Sequence, residues 1–348
     1  MKILLIQIKM MGDILLSSML FKLIKKKYPN SKTYFLIERK SKDILLNNPY
    51  IDELIFYDKK IHTNPVVLFN FLMFIRKENF SVTIDIYNKI NSMIITLFSS
   101  SKIKIGYYKF YSSFLYNFAI KRFLKPKNLL SLAIENRLNL LKPIGIDFEI
   151  TKPEIYISQS ENIRFYSMFF KQYNKAKKPI IILSILGSSS NKTYPIKYMV
   201  NLIDFISIKN KNFQLLFNYM PHQLSTAKEI YNRCSDLSKK SINFNFYANS
   251  IREFVLLTNQ SIALIGNEGG STNISKALGI PTFAIFAPYL NKINWASSLE
   301  ENFNVNAHLR DYLNYDLNKA KKDPYKFYLK LQPELLYPQL DNFLTKLK

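Results

Sequence analysis

The sequence predicts an α/β protein of two doubly wound domains, on three observations. Apolar runs without alternation recur at residues 3–8, 180–186 and 262–265. Such runs suit strands buried on both faces of a parallel sheet. Each is followed by a helical pattern and then a further apolar run, which is the alternation of β-α-β units. The length of 348 residues exceeds one ordinary core and points to two domains.

Taken in order, residues 2–8 read as a buried strand and residues 10–13 as a turn. Residues 14–28 read as a helix with Leu16, Leu20, Leu23 and Ile24 inward, stopped by Pro29 and Asn30. Strands at 33–37 and 54–57, a helix at 65–77, a strand at 82–87, a helix at 91–101, a strand at 102–107 and a helix at 129–141 complete the first half. Residues 142–160 hold Pro143, Gly145 and Pro153 and read as the inter-domain connection. The alternation then resumes with a strand at 180–186, a helix at 198–208, a strand at 213–217 and helices at 225–234 and 251–257. It ends in a β-α-β unit: strand 262–265, a turn at 266–270, a helix that Ser271 or Thr272 can cap, and strand 282–286. A last helix is expected at 335–347. The domains are therefore drawn at 1–155 and 156–324, with a tail at 325–348.

The charge balance, 49 Lys and Arg against 25 Asp and Glu for a formal +24, favours acidic partners: phosphorylated glycans, anionic membrane surfaces or nucleic acid. Much of the excess is Lys among many Asn and Ile, a bias that base composition can also produce. Cys234 is the only cysteine, which excludes an internal disulfide and fits a reducing compartment. The N-terminal apolar run is broken by Lys9 and Asp13 and lacks a signal-peptide pattern, and the run at 66–75 is too short to span a bilayer. A cytoplasmic protein is expected, with charge available for peripheral contact with the inner membrane.

Three groups of residues can carry chemistry. Asp13 sits between the first strand and first helix, where open α/β sheets bind ligands; it reads either as a helix N-cap or as a general base. Lys192 follows the strand at 180–186 through Gly187 and three serines, an arrangement that suits a phosphate or a plain polar surface loop. Residues 267–273 place a turn at a helix N-terminus, whose unpaired N–H groups and dipole also suit an anion. Scaffold alone is the alternative there, and for Glu268 a solvated carboxylate. Gln223, in the loop after the strand at 213–217, can donate or accept a hydrogen bond; neighbouring His222 reads as a surface histidine. The three histidines are scattered, one cysteine cannot build a zinc site, and neither an Asp-x-Asp pair nor a Gly-x-Gly-x-x-Gly occurs.

GNEGGSTNISKALGIPTFAIFAP, from Gly266 to Pro288, resembles the C-terminal signature of the ADP-heptose:lipopolysaccharide heptosyltransferase family, glycosyltransferase family 9. That signature runs G-N-D-[ST]-G-x-x-H-[LIV]-A-x-A-L-G-x-P, then an apolar strand and G-P. Here Glu268 replaces the Asp, Gly269 the Ser or Thr, and Asn273 the His. The opening ILLIQIKMMGDILLSSMLFKLIKKKYP is similar to the family's first strand, Gly-Asp pair and first helix. Lys192-Thr193-Tyr194-Pro195 matches its K-x-[WY]-P.

The resemblance implies the glycosyltransferase-B architecture, two Rossmann-like domains facing across a cleft, with the C-terminal helix packing back on the first. It implies Asp13 as the general base, with Gly12 allowing a tight turn beside it. It assigns Lys192 to the donor diphosphate, Ser188 and Ser189 to further donors, and Asn267, Glu268, Gly269, Gly270, Ser271, Thr272 and Asn273 to the nucleotide sugar. Gln223 falls near the ribose. The implied reaction is inverting transfer of a heptose or related sugar from an ADP-sugar to the lipopolysaccharide inner core, with no metal and no other cofactor. The changes at 268 and 273 imply a modified donor pocket, so another nucleotide sugar, UDP- or GDP-hexose, is the alternative. From a different class, Tyr107, Tyr108, Phe110 and Tyr111 beside Lys104 and Lys109 form a basic-aromatic patch. A non-catalytic binder of lipid A or nucleic acid would have such a patch; nucleic acid is not the expected partner.

Overall fold

The computed structural model describes residues 1–174, 177–300 and 303–347, and the chain divides into two compact units, Met1–Tyr156 and Ile157–Lys348. The first is built on β1 (Lys2–Ile6), β2 (Lys32–Ile37), β3 (Glu53–Phe56), β4 (Val82–Asp85), β5 (Ile103–Tyr107) and β6 (Phe118–Ile120). They pair in the order β3-β2-β1-β4-β5-β6, every pair parallel. The second holds β7 (Ile180–Ser184), β8 (Gln214–Asn218), β9 (Ala263–Asn267), β10 (Thr282–Ile285) and β11 (Asn304–Ala307). Its order is β11-β10-β9-β7-β8, again all parallel.

Parallel strands need a crossover between them, and the crossover helices cover both faces of each sheet. That is why β4, β7, β9 and β10 are buried at every residue. In each unit the strand order reverses once, between β1 and β4 and between β7 and β9. The chain leaves the sheet in opposite directions at such a reversal and opens a crevice at the strand carboxyl ends. Asp13 follows β1; the Lys192 loop follows β7 and the 267–273 turn follows β9.

Several elements differ from expectation, each for a local reason. The first helix spans Met11–Lys27, three residues earlier than predicted, so Asp13 lies inside its first turn and is not its cap. The helix Gly270–Ala277 begins before Ser271 and Thr272, with Gly269 at the cap position and no side-chain cap. A helix at Gln159–Gln172 occupies and follows the end of the predicted connection. Its start is a reciprocal cap, in which the Glu161 amide donates to Ser158 Oγ and the Ser158 amide to the Glu161 carboxylate. β6 and β11 are short edge strands, of three and four residues, too brief to show a period.

The tail at 325–348, whose last residue lies outside the described set, was expected to turn back to the first domain. Its helix Pro333–Thr345 buries Leu336, Leu340, Phe343 and Leu344 in the core of the second unit, against helix Ile196–Lys209 and β11. Phe205 and Tyr337 stack there with ring centroids 4.3 Å apart.

Candidate functional site

In the first unit, Met10 takes a left-handed conformation, φ 70, which a side chain with a Cβ adopts only at a cost of order 1–3 kcal/mol. The strained residue turns β1 sharply into helix Met11–Lys27 and puts Asp13 at the third helical position, where the helix dipole favours a carboxylate. Arg137, from helix Leu132–Asn139, donates through Nη2 to Asp13 Oδ1 at 2.6 Å. The same guanidinium donates through Nε to Ser17 Oγ and through Nη1 to the Ala133 carbonyl. Ser17 Oγ in turn donates to the Asp13 carbonyl, 2.7 Å. Arg137 is 9% exposed and Asp13 27%, so a fixed cation orients a carboxylate that still meets solvent. Among the described residues Asp13 Oδ2 has no hydrogen-bond partner.

Asp85 ends β4, across the reversal from β1. It is fully buried, and burial pushes its carboxyl up to about 6, although the Asn88 amide and the Tyr116 hydroxyl donate to it. Asn88 Nδ2 also donates to the Tyr107 carbonyl, and Lys109 Nζ to the Asn88 carbonyl. The Tyr107 phenol, raised by burial, feels Arg137, Asp13 and Asp85 together. Sequence reasoning missed Arg137, Asp85 and Tyr116. The run Glu135-Asn136-Arg137 looks like the solvated face of an amphipathic helix, yet all three are buried. Glu135 accepts the Lys127 and Asn128 amides. For Asp85 a signal existed, since an aspartate flanked by Ile84 and Ile86 within the strand predicted at 82–87 is unusual company.

In the second unit, hydrogen bonds bring the two predicted loops together. Asn267, at the end of β9, accepts from the Tyr194 amide at 2.7 Å and donates to the Ser184 carbonyl at 2.9 Å, tying the Lys192 loop to β7 and β9. Gln223 donates to the Gly187 carbonyl and accepts from the Met220 amide, so its side chain is engaged in holding the loop. Thr193 Oγ1 accepts the Gly187 amide and donates to the Ser189 carbonyl, closing the turn. Two glycines are required by geometry. A Cβ at Gly187 would lie 2.3 Å from the Lys192 carbonyl oxygen, and one at Gly266, where φ is 133, would lie 2.3 Å from that of Ser184.

Within this frame Ser188 and Ser189 are exposed and Lys192 half-buried, and among the described residues Lys192 has no carboxylate partner. The first three amides of helix Gly270–Ala277, those of Gly270, Ser271 and Thr272, have no acceptor among the described residues. Ser271 Oγ lies 3.1 Å from Ser184 Oγ, and Thr272 Oγ1 is buried without a partner among the described residues. A cation, unpaired helical N–H groups and hydroxyls are the donor set that takes a phosphate. Glu268 is buried and its amide donates to the Ile285 carbonyl. Its negative charge, after burial, helps raise the Tyr289 phenol. Asn273 begins the intrahelical bonding, its amide donating to the Gly269 carbonyl. Gly12 and Asp13 belong to the first unit and the other predicted residues to the second. Among the described residues no three of His, Cys, Asp or Glu gather in one place, and no helix is long and apolar enough to cross a membrane.

Two doubly wound parallel units, each with polar residues gathered where the strand order reverses, define an α/β protein of two Rossmann-like domains. The model of glycosyltransferase family 9 (heptosyltransferase) matches residues 69–312, and the chain belongs to that family. It is 24% identical over 302 residues to lipopolysaccharide heptosyltransferase 1 of Campylobacter coli, covering 82% of this chain and 84% of that one. In structure it is similar to a family 9 glycosyltransferase of Veillonella parvula, with a TM-score of 0.82 at 16% identity over 99% of this chain and 97% of the other. It is also similar to the ADP-heptose lps heptosyltransferase II of E. coli, with a TM-score of 0.75 at 16% identity over 99% of each chain.

Proposed function

We propose that this glycosyltransferase moves a heptose, or a closely related sugar, from ADP-heptose to the inner core of lipopolysaccharide, with inversion and without a metal ion. The observation that carries the reading is Asp13, fixed at the first reversal by a buried Arg137 with one oxygen unengaged. In the transfer, the acceptor hydroxyl oxygen forms a bond to the anomeric carbon while the bond from that carbon to the diphosphate oxygen breaks. The hydroxyl proton passes to Asp13 Oδ2, and ADP departs with the bonding electrons. Charge then grows on the diphosphate, where Lys192 and the amides of Gly270, Ser271 and Thr272 offset it. Those groups supply the positive charge that a divalent ion supplies elsewhere. Attack opposite the leaving group inverts the anomeric centre, as in single-displacement transfer to water. Glu268 accepts from donor sugar hydroxyls. The acceptor is lipid-linked, so the enzyme works at the cytoplasmic face of the inner membrane, held there peripherally.

One observation favours a second donor. Glu268 carries one methylene more than aspartate and shifts its oxygens, and Asn273 has no charge to offer, which together fit a differently substituted sugar. Mass spectrometry of core-truncated lipopolysaccharide incubated with the enzyme and ADP-heptose, UDP-hexose or GDP-hexose separates the two. A mass gain with ADP-heptose alone supports the first reading, a gain with a hexose donor the second. No gain with any of them overturns both.

A further inference from the structure

We infer that one face of the first unit is a docking surface for the anionic phospholipid headgroups of a bilayer. Between residues 59 and 134 the sequence carries twelve Lys and Arg but two acids, Glu78 and Asp85. Glu78 is paired with Lys2 Nζ at 2.9 Å and Asp85 is fully buried, so neither presents a carboxylate for an incoming anion to avoid. Among the described residues none of the twelve cations pairs with a carboxylate.

The same stretch exposes large apolar side chains on neighbouring elements. Helix Pro65–Lys77 packs on helix Ile90–Phe98, which packs on the turn Ser113–Leu115, which abuts β6 at the open edge of the sheet. Val66 and Phe69 are exposed on the first of these helices, Ile90 and Leu97 on the second. Beyond them Phe110 is 89%, Phe114 80% and Leu124 86% exposed. Leaving such side chains in water costs the hydrophobic stabilisation their burial would bring. Lys121 and Lys125 are exposed within a few residues of them, and Lys121 Nζ lies 5.6 Å from the centre of the Tyr108 ring.

Apolar and aromatic side chains interleaved with unpaired cations, with no free acid, fit the boundary between headgroups and acyl chains. A base-stacking surface requires π-faces, whereas Val66, Ile90, Leu97 and Leu124 have none. The inference deepens the proposed function, since a lipid-linked acceptor gives the docking its purpose, but its test involves no sugar transfer.

The test is co-sedimentation of the full chain with phosphatidylcholine vesicles, plain or enriched in phosphatidylglycerol. Binding to the enriched vesicles is expected, at least about tenfold tighter than to plain ones and weakened by salt. The variant Phe110→Ser/Phe114→Ser/Leu124→Ser and the variant Lys121→Glu/Lys125→Glu should each bind about tenfold more weakly. Both should keep the parent's melting curve, because the altered side chains are exposed. Tyr325→Ser, an exposed position in the second unit, should bind as the parent does. In a Trp295→Phe background, Phe114→Trp should be quenched by brominated lipid. Equal binding to both vesicle types, or parent-like binding by both multiple variants, overturns the inference. So does a lipid-free dimer that the triple-serine variant dissolves, because a second copy then covers the face, or loss of vesicle binding to equimolar single-stranded RNA. Failure of heptose transfer with vesicle binding intact would instead count against the proposed reaction.

Discussion

The two strand-order reversals solve different problems. The one in the first unit rests on side-chain charge: an aspartate, an arginine 124 residues away in sequence and a strained Met10. The one in the second rests on backbone, since two glycines without room for a Cβ, the Asn267 brace and three helical amides do the shaping. A side-chain carboxylate can change its protonation during a reaction, whereas amides cannot. The first arrangement therefore suits a step in which a proton moves, and the second suits holding a group of constant charge.

The comparison breaks most readily at Asp13. Asp13→Asn should lower kcat by roughly 10²- to 10⁴-fold while donor affinity, read by calorimetry with ADP, stays at the parent value. Parent-rate transfer by this variant would remove the catalytic role from the first reversal. On the other side, Gly266→Ala should destabilise the second unit by roughly 3 kcal/mol, through a close approach to the Ser184 carbonyl and the strain of a left-handed Ala. Urea denaturation would read that loss, and an unchanged midpoint would show that the backbone there has slack.

A smaller effect concerns pH. Burial raises Asp85 to about 6, so the folded chain holds that proton more tightly than the unfolded one does. Its contribution to stability is complete below about pH 4 and is lost as pH rises through about 6, a change on the order of 2–3 kcal/mol. Asp85→Asn should delete that component from the curve of unfolding free energy against pH; if parent and variant curves run parallel, the carboxyl does not titrate there. The smallest effect is expected of Arg137→Lys, which keeps the charge and loses the planar fork. A roughly tenfold fall in kcat with unchanged donor affinity is the outcome for a positioning residue, and a matching loss of ADP affinity would contradict it.

How much was legible depended on the range of the interaction concerned. The double β-α-β alternation showed in local apolar runs because β7 and β9 are buried on both faces. The 266–288 signature showed because turn, helix and strand are contiguous in sequence. Arg137 was not legible, since its burial depends on a partner in another helix and its neighbours imitate a solvated face. Helix Gln159–Gln172 could have been read from the Ser158-x-x-Glu161 cap, but Pro153 nearby favoured a connection. The last helix showed its period, because Leu336, Leu340, Phe343 and Leu344 form one apolar stripe that is buried in the second unit.

The distance in sequence between Asp13 and Arg137 has a further implication. During synthesis the aspartate is made 124 residues before the arginine, so the group that orients it is supplied only when the helix ending at Asn139 has been made and docked. Until then the acid is an ordinary carboxylate on a nascent chain. A polypeptide released before that helix, or nicked in the exposed segment preceding it, carries the acid without the guanidinium that orients it.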